Sequence, residues 1–330
     1  MLRPASLRPL VRAVLACGVL ALPSTVLAGA AAAPAFVLEW GGPGTEPGLF
    51  DRIAGIANGP DGSVYVADSD IGRIQKFTAS GALVTHWGTG RNDAFDRPVA
   101  MAVDALGQVY VGDYYRDEII RFSSDGAAQI VWGLQGSAPG KIHHPTDLTF
   151  DLDGNVLLVD QNNDRVQRFT PEGEFIEVIG DTITGQGRLG RPFGVAVGSD
   201  GAIYVTDQNH YRVVKYDRAG HYLTSWGSQG TGSGQFDFPT GIAVDRDDRV
   251  YVVDTFHNRI VMFSSTGTPL GEFGDFGPGE GQFNFPVNLA ISPDYEIYVG
   301  DRDNYRVEKF GGNTTPVVQS TWGRLKNRFR

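Results

Sequence analysis

The sequence predicts an all-β fold: one closed ring of six four-stranded antiparallel blades. Three observations carry the prediction. The segment Val64-Tyr65-Val66-Ala67-Asp68 recurs at Val109–Asp113, Val156–Asp160, Ile203–Asp207, Val250–Asp254 and Ile297–Asp301. The six aspartates stand 45, 47, 47, 47 and 47 residues apart. All five tryptophans occupy one position of the repeat, at Trp40, Trp87, Trp132, Trp226 and Trp322. A period in the forties built from short alternating strands is the mark of a β-propeller.

Within one repeat the strands follow from turn residues and alternation. In residues 234–274, Pro239 opens an inner strand, Gly241-Ile242-Ala243-Val244. Arg246-Asp247-Asp248 turns the chain into the second strand, which ends at Asp254. A loop to Asn258 leads to the alternating third strand Arg259-Ile260-Val261-Met262-Phe263, and a turn at Gly267 to an outer strand ending at Phe273-Gly274. The tryptophans close outer strands and are read as packing between blades. Asp151-x-Asp153-Gly154 lacks the later glutamate of a calcium loop and is read as a turn. Trp40 lies ten residues before Phe50, the spacing found within internal blades, so the strand 36–40 fits as the outer strand of the last blade. Pairing of the chain's ends would then remove a sheet edge. Val317–Trp322 competes for that slot.

At the N-terminus, Arg3, Arg8 and Arg12 precede an apolar run from Val14 to Leu27 and small residues from Ala28 to Ala33. This pattern predicts a signal peptide and short leader remnant over 1–33, a single propeller over 34–323 and a basic tail over 324–330. Export to the periplasm or outside the cell follows. Cys17, the one cysteine, lies in the leader; processing there as a lipoprotein is the weaker alternative. Otherwise the mature chain has no cysteine and no disulfide. The chain carries −10. Of its 28 Lys and Arg, three fall in the leader, so 25 bases face 38 acids afterwards, a net −13. That balance disfavours nucleic-acid binding. A monomer is expected, with no membrane-spanning segment in the mature chain.

The repeat core Pro239-x-Gly241-Ile-Ala-Val-Asp245, Val250-Tyr-Val-Val-Asp254, Asn258-Arg259-Ile260 resembles the NHL repeat over residues 48–310. The resemblance implies a six-bladed ring with a central channel. It leaves function open among RNA-binding propellers, protein-interaction modules, extracellular sensors and a zinc lyase. In the lyase group histidines follow the proline that opens the inner strand. The matching positions here are Ala54, Val99, Thr146, Phe193, Thr240 and Val287, so the zinc ligands are missing.

Five repeats pair the repeated aspartate with an arginine five residues later, and blade two breaks the rule with Glu118 after Asp113. A pair used around a ring reads as a hairpin brace. His210 and His257 occupy a loop position filled elsewhere by Asn163 and Asn304, a turn-satisfying position before a metal site. No catalytic set, metal site or cofactor is predicted. Period two points Gly55, Ala100, Asp147, Gly194, Gly241 and Asn288 at the channel, with Asp147 and Asn288 facing across it as water holders or ligand partners. The loops entering the inner strands and those after the repeated aspartates converge on one face. It gathers Tyr114, Tyr115, Arg116, His143, His144, Arg191, Phe193, His210 and His257, an aromatic and locally basic set. With Asp147 and Asn288 these form the candidate ligand site. The function expected is non-enzymatic binding of a peptide, protein or glycan there. The alternatives are an exported lyase or hydrolase at the channel mouth and, disfavoured, an RNA-binding propeller.

Overall fold

A computed structural model describes residues 32–88, 95–180 and 185–311. Most of the leader, the competing strand Val317–Trp322 and the basic tail lie outside the described residues. Six four-stranded antiparallel sheets make up the fold, and the helical content of the described residues is four three-residue 3-10 turns. Five blades use consecutive strands, over residues 53–87, 98–132, 145–179, 192–226 and 239–273. The sixth combines Pro286–Ile291, Ile297–Asp301 and Arg306–Phe310 with Phe36–Gly41. Phe36 pairs Phe310 and Trp40 pairs Val307, so the N-terminal strand closes the ring.

The core lies between blades. Leu157, Val159 and Val166 of blade three pack with Val195, Val205 and Val214 of blade four, all buried. The tryptophans work at the same seams. Trp87 packs at a tilt 5.9 Å from Phe122 of the next blade, and Trp226 likewise 5.9 Å from Phe263. Trp132 lies under the turn of blade three, where a Cβ on Gly173 (φ +90°) would come within 2.3 Å of the indole. The Asp151 turn is a side-chain-capped hairpin bend, its carboxylate accepting the Asp153 and Asn155 amides at 2.9 Å.

Each repeated aspartate is a buried hub at the upper end of its blade. Asp160 Oδ2 accepts Arg165 Nε at 2.8 Å, and its Oδ1 accepts the His143 amide of the incoming loop at 2.7 Å. Arg165 Nη2 donates to the carbonyls of Ala138 and Lys141 at 2.9 Å, tying down the connection from the preceding blade. The same pair recurs at Asp68–Arg73, Asp207–Arg212, Asp254–Arg259 and Asp301–Arg306. Burial pushes Asp68, Asp160 and Asp301 above the usual carboxylate range despite these partners. In blade two Arg116 takes the place of the missing arginine, 3.9 Å from Asp113 and 3.7 Å from Glu118.

Removing one partner of such a buried pair leaves the other uncompensated, at a cost of about 3–5 kcal/mol. Asp160→Ala is therefore expected to lower the urea midpoint strongly, whereas Ser80→Ala, in an exposed turn, shifts stability by no more than about 0.5 kcal/mol. Equal midpoints in equilibrium unfolding would remove the hub from its central place.

Candidate functional site

The upper face, where inner strands begin and second strands end, encloses a cavity of about 250 Å³ at the channel mouth. Two ring positions per blade build it. The residue after the opening proline, or its counterpart Ala54 in blade one, lies on the wall: Ala54, Val99, Thr146, Phe193, Thr240 and Val287. Two residues before each of these, Arg52, Arg97, Arg191, Phe238 and Phe285 complete the rim. Tyr114, Tyr115, Gln161, Gln208 and Arg302 come from the loops after the repeated aspartates. Among the described residues the lining contains four arginines and no carboxylate, in a chain of net charge −10.

The rim is held by strained backbone. His144, Arg191, Phe238 and Phe285 each precede a proline yet sit at φ +59°, +53°, +68° and +59°. Large side chains rarely adopt that region, and such residues cost about 1–3 kcal/mol each. The neighbouring blade supplies the support. The amides of His144, Arg191 and Phe285 donate to Asp117 Oδ1, Asp164 Oδ1 and Asn258 Oδ1 at 2.6, 2.6 and 2.8 Å.

Two aromatic groups flank the mouth. On the side of blades two and three, Tyr114 stacks on His144 at 4.1 Å, Tyr115 meets Tyr114 edge-on at 5.2 Å, and His143 lies 4.5 Å from His144. Arg97 Nη1 donates to the Tyr115 hydroxyl at 2.9 Å and lies over both tyrosine rings. Burial and the neighbouring His143 hold His144 below the usual imidazole range, and burial raises Tyr114. On the side of blades five and six, Phe238 stacks on Phe256 at 4.7 Å, and Arg302 lies 3.8 Å above Phe285.

The structure thus brings Tyr114, Tyr115, Arg191 and Phe193 together around one cavity, with His143 and His144 behind the tyrosines. Other residues read from the sequence as ligand partners have structural work instead. His210 Nδ1 and His257 Nδ1 each lie 2.8 Å from the aspartate hub of their own blade, as Asn163 and Asn304 do in theirs. Arg116 is drawn to Asp113 and Glu118 by the missing arginine of blade two, and it does not line the cavity. Asp147 and Asn288 do face across the channel, but lower down. They line a second cavity of about 200 Å³ toward the opposite face. Asp147 accepts the Val195 amide at 2.9 Å and a hydrogen bond from Asn288, and burial pushes its carboxyl up to about 7.

Arg52, Gln208 and Phe238 were not singled out in the sequence. A signal was present: aligned by repeat, the position before the strand-opening proline reads Arg52, Arg97, His144, Arg191, Phe238, Phe285, which no strand or turn rule dictates. Gln208 is the sharper case. It is 2 % exposed, and neither amide atom has a hydrogen-bond partner among the described residues. Its counterpart Thr255 donates to the Pro286 carbonyl at 2.9 Å.

A buried, unpaired amide costs about 1–3 kcal/mol. Gln208→Leu is expected to raise stability by about 1 kcal/mol or more in urea unfolding; a loss would mean that the amide is satisfied. Asp147 gives a pH test. Its folded carboxyl titrates near 7 against 3.8 when free, so its contribution is full below about 3.8, falls progressively as pH rises from there and is gone once pH has passed 7. Asp147→Asn is therefore expected to raise the melting temperature relative to the parent by clearly more at pH 8 than at pH 5. Identical gains at both pH values in calorimetry would contradict this.

A family described as a 6-bladed beta-propeller matches residues 195–274. No curated protein matches the sequence. Among solved structures, a protein of unknown function from Bacteroides thetaiotaomicron is similar at 21% identity, covering 82% of this chain and 74% of its own, with a TM-score of 0.65. A gluconolactonase from Xanthomonas campestris is similar at 17% identity, 79% and 86% coverage and a TM-score of 0.61. Virginiamycin B lyase from Staphylococcus aureus with quinupristin is similar at 18% identity, 79% and 84% coverage and a TM-score of 0.56. At these identities the likeness is one of fold alone; the fold of this chain is the six-bladed propeller.

Proposed function

We propose that this chain is an exported, non-enzymatic propeller of NHL type that receives a peptide, protein or glycan partner on its upper face, over the channel mouth. The observation that carries the reading is the composition of that mouth. Among the described residues, four arginines, two tyrosines and three phenylalanines line it without one acid, at positions where the repeat imposes no residue. Aromatic and arginine side chains supply most binding energy at recognition surfaces. The leader read from the sequence supports export. Exposed rings extend the surface beyond the cavity, Tyr115 at 52% and Phe256 at 48%.

A second reading, a lyase or hydrolase at the same mouth, draws support from His144. Its imidazole is held below the usual range beside Tyr114 and the cavity. A lyase and a lactonase among the structural neighbours share the fold in which such chemistry would sit.

Capture from envelope extract by immobilised mature chain tests the first reading. Tyr115→Ala combined with Phe256→Ala is expected to cut capture by about tenfold while leaving stability within about 0.5 kcal/mol. Leu106→Ala, in a turn on the opposite face, is expected to leave capture unchanged. Capture lost at Leu106 and kept at Tyr115 and Phe256 would place the partner on the wrong side of the ring for this proposal.

A further inference from the structure

Two of the four rim arginines are already matched with acids. Arg52 lies 3.7 Å from Asp70, and Arg302 donates to Asp303 at 2.8 Å. Arg97 and Arg191 have no carboxylate within ion-pair distance among the described residues. They belong to blades two and four, and blade three between them presents Thr146 and Gln161, both neutral. Both guanidiniums act on Tyr114. Arg97 lies 5.8 Å from its ring centroid, and Arg191 is the largest charge favouring its phenolate. Arg97 is anchored on the Tyr115 hydroxyl, and the Arg191 backbone is locked by Asp164 in a conformation the residue would otherwise avoid.

A second, independent feature points into the same cavity. Gln208, in the blade that carries Arg191, lines the cavity with its carboxamide unpaired on both atoms. The apolar remainder of the wall is Phe193, Phe238, Phe285 and aliphatic residues of the inner strands.

Resting on the proposed ligand site at this mouth, we infer that the cavity takes a small organic carboxylate. Its oxyanion sits between Arg97 and Arg191 above Tyr114. Its apolar body lies against Phe193, Phe238 and Phe285, and its remaining polar group meets the Gln208 amide. Guanidinium groups hold a carboxylate through paired, charge-assisted hydrogen bonds. The cavity, of about 250 Å³, has room for a compact organic group. The carboxylate is thus either a free acid or one acidic residue of a larger partner.

Calorimetric titration of the mature chain with hydrocinnamate, hydrocinnamamide and inorganic phosphate tests this. The acid is expected to bind at least about tenfold more tightly than its neutral amide and than phosphate. Arg97→Gln and Arg191→Gln are each expected to weaken the acid by about tenfold, with partial rescue by lysine. Gln208→Glu, which puts a negative charge in the cavity, should abolish binding, and Arg218→Gln, at an exposed turn on the opposite face, should not alter it. Equal affinity for acid and amide, or binding of neither at millimolar concentration, overturns the inference. Phosphate binding as tightly as the acid overturns the apolar half of it. Either failure is separable from the wider reading, because capture dependent on Tyr115 and Phe256 would then persist. Competition between hydrocinnamate and the captured partner would place the acid on the partner; binding without competition would make it a free ligand.

Discussion

A buried carboxylate is the constraint on which the rest of this molecule depends. Each repeated aspartate ends a second strand, accepts amides from the loop entering its own blade and holds an arginine. That arginine in turn binds carbonyls of the connection from the preceding blade. One side chain therefore fixes a hairpin, a blade entry and a seam. A buried ion pair by itself adds little to stability, because desolvation offsets the attraction. Its value here is geometric: it makes the position of every upper loop a consequence of the blade beneath it. Blade two shows the constraint by its exception. With Glu118 where the arginine belongs, Arg116 turns back to Asp113, and the loop still closes.

The mouth is built from what this frame leaves free. In blades three, four and six the residue before the strand-opening proline is held by its backbone, through a carboxylate or amide of the neighbouring blade, which leaves its side chain outside the aspartate hubs. Bulky residues persist there at positive φ because the surroundings over-determine them. Strain of this kind collects at sites where side chains must be presented in one direction. The result is a preorganised ring of arginine and aromatic groups around a small cavity. Because the whole chain is acidic, the cationic mouth stands out in its field, which favours anions entering there over the rest of the surface.

Below the mouth the channel narrows where inner strands meet. A Cβ on Gly55 would lie 2.2 Å from the Val99 carbonyl, and one on Gly241 2.6 Å from the Asn288 amide oxygen. Asp147 and Asn288 occupy that waist and belong to the lower cavity. The titration of Asp147 therefore bears on the stability of the ring and not on the lining of the upper cavity.

The repeat spacing, the strand alternation and the closing role of Phe36–Gly41 were legible in the sequence, because a blade cannot bury its faces alone and each copy repeats the same packing problem. The aspartate–arginine brace and the inter-blade tryptophans were legible for the same reason. Convergence of two loop sets on one face also followed from strand order, and it brought Tyr114, Tyr115, Arg191 and Phe193 to the cavity. What only the tertiary structure decided was which loop residues are left over once the hubs are satisfied. His210, His257 and Arg116 look like ligand groups by type, yet the buried aspartates claim them first. Gln208 looks like an ordinary loop amide, yet burial leaves it unpaired. Residue type sets what a side chain can bond, whereas the partner it finds depends on how the folded backbone aims it: His210, His257 and Arg116 turn back to aspartates three residues earlier, and Gln208 lacks the carbonyl that Thr255 finds at Pro286.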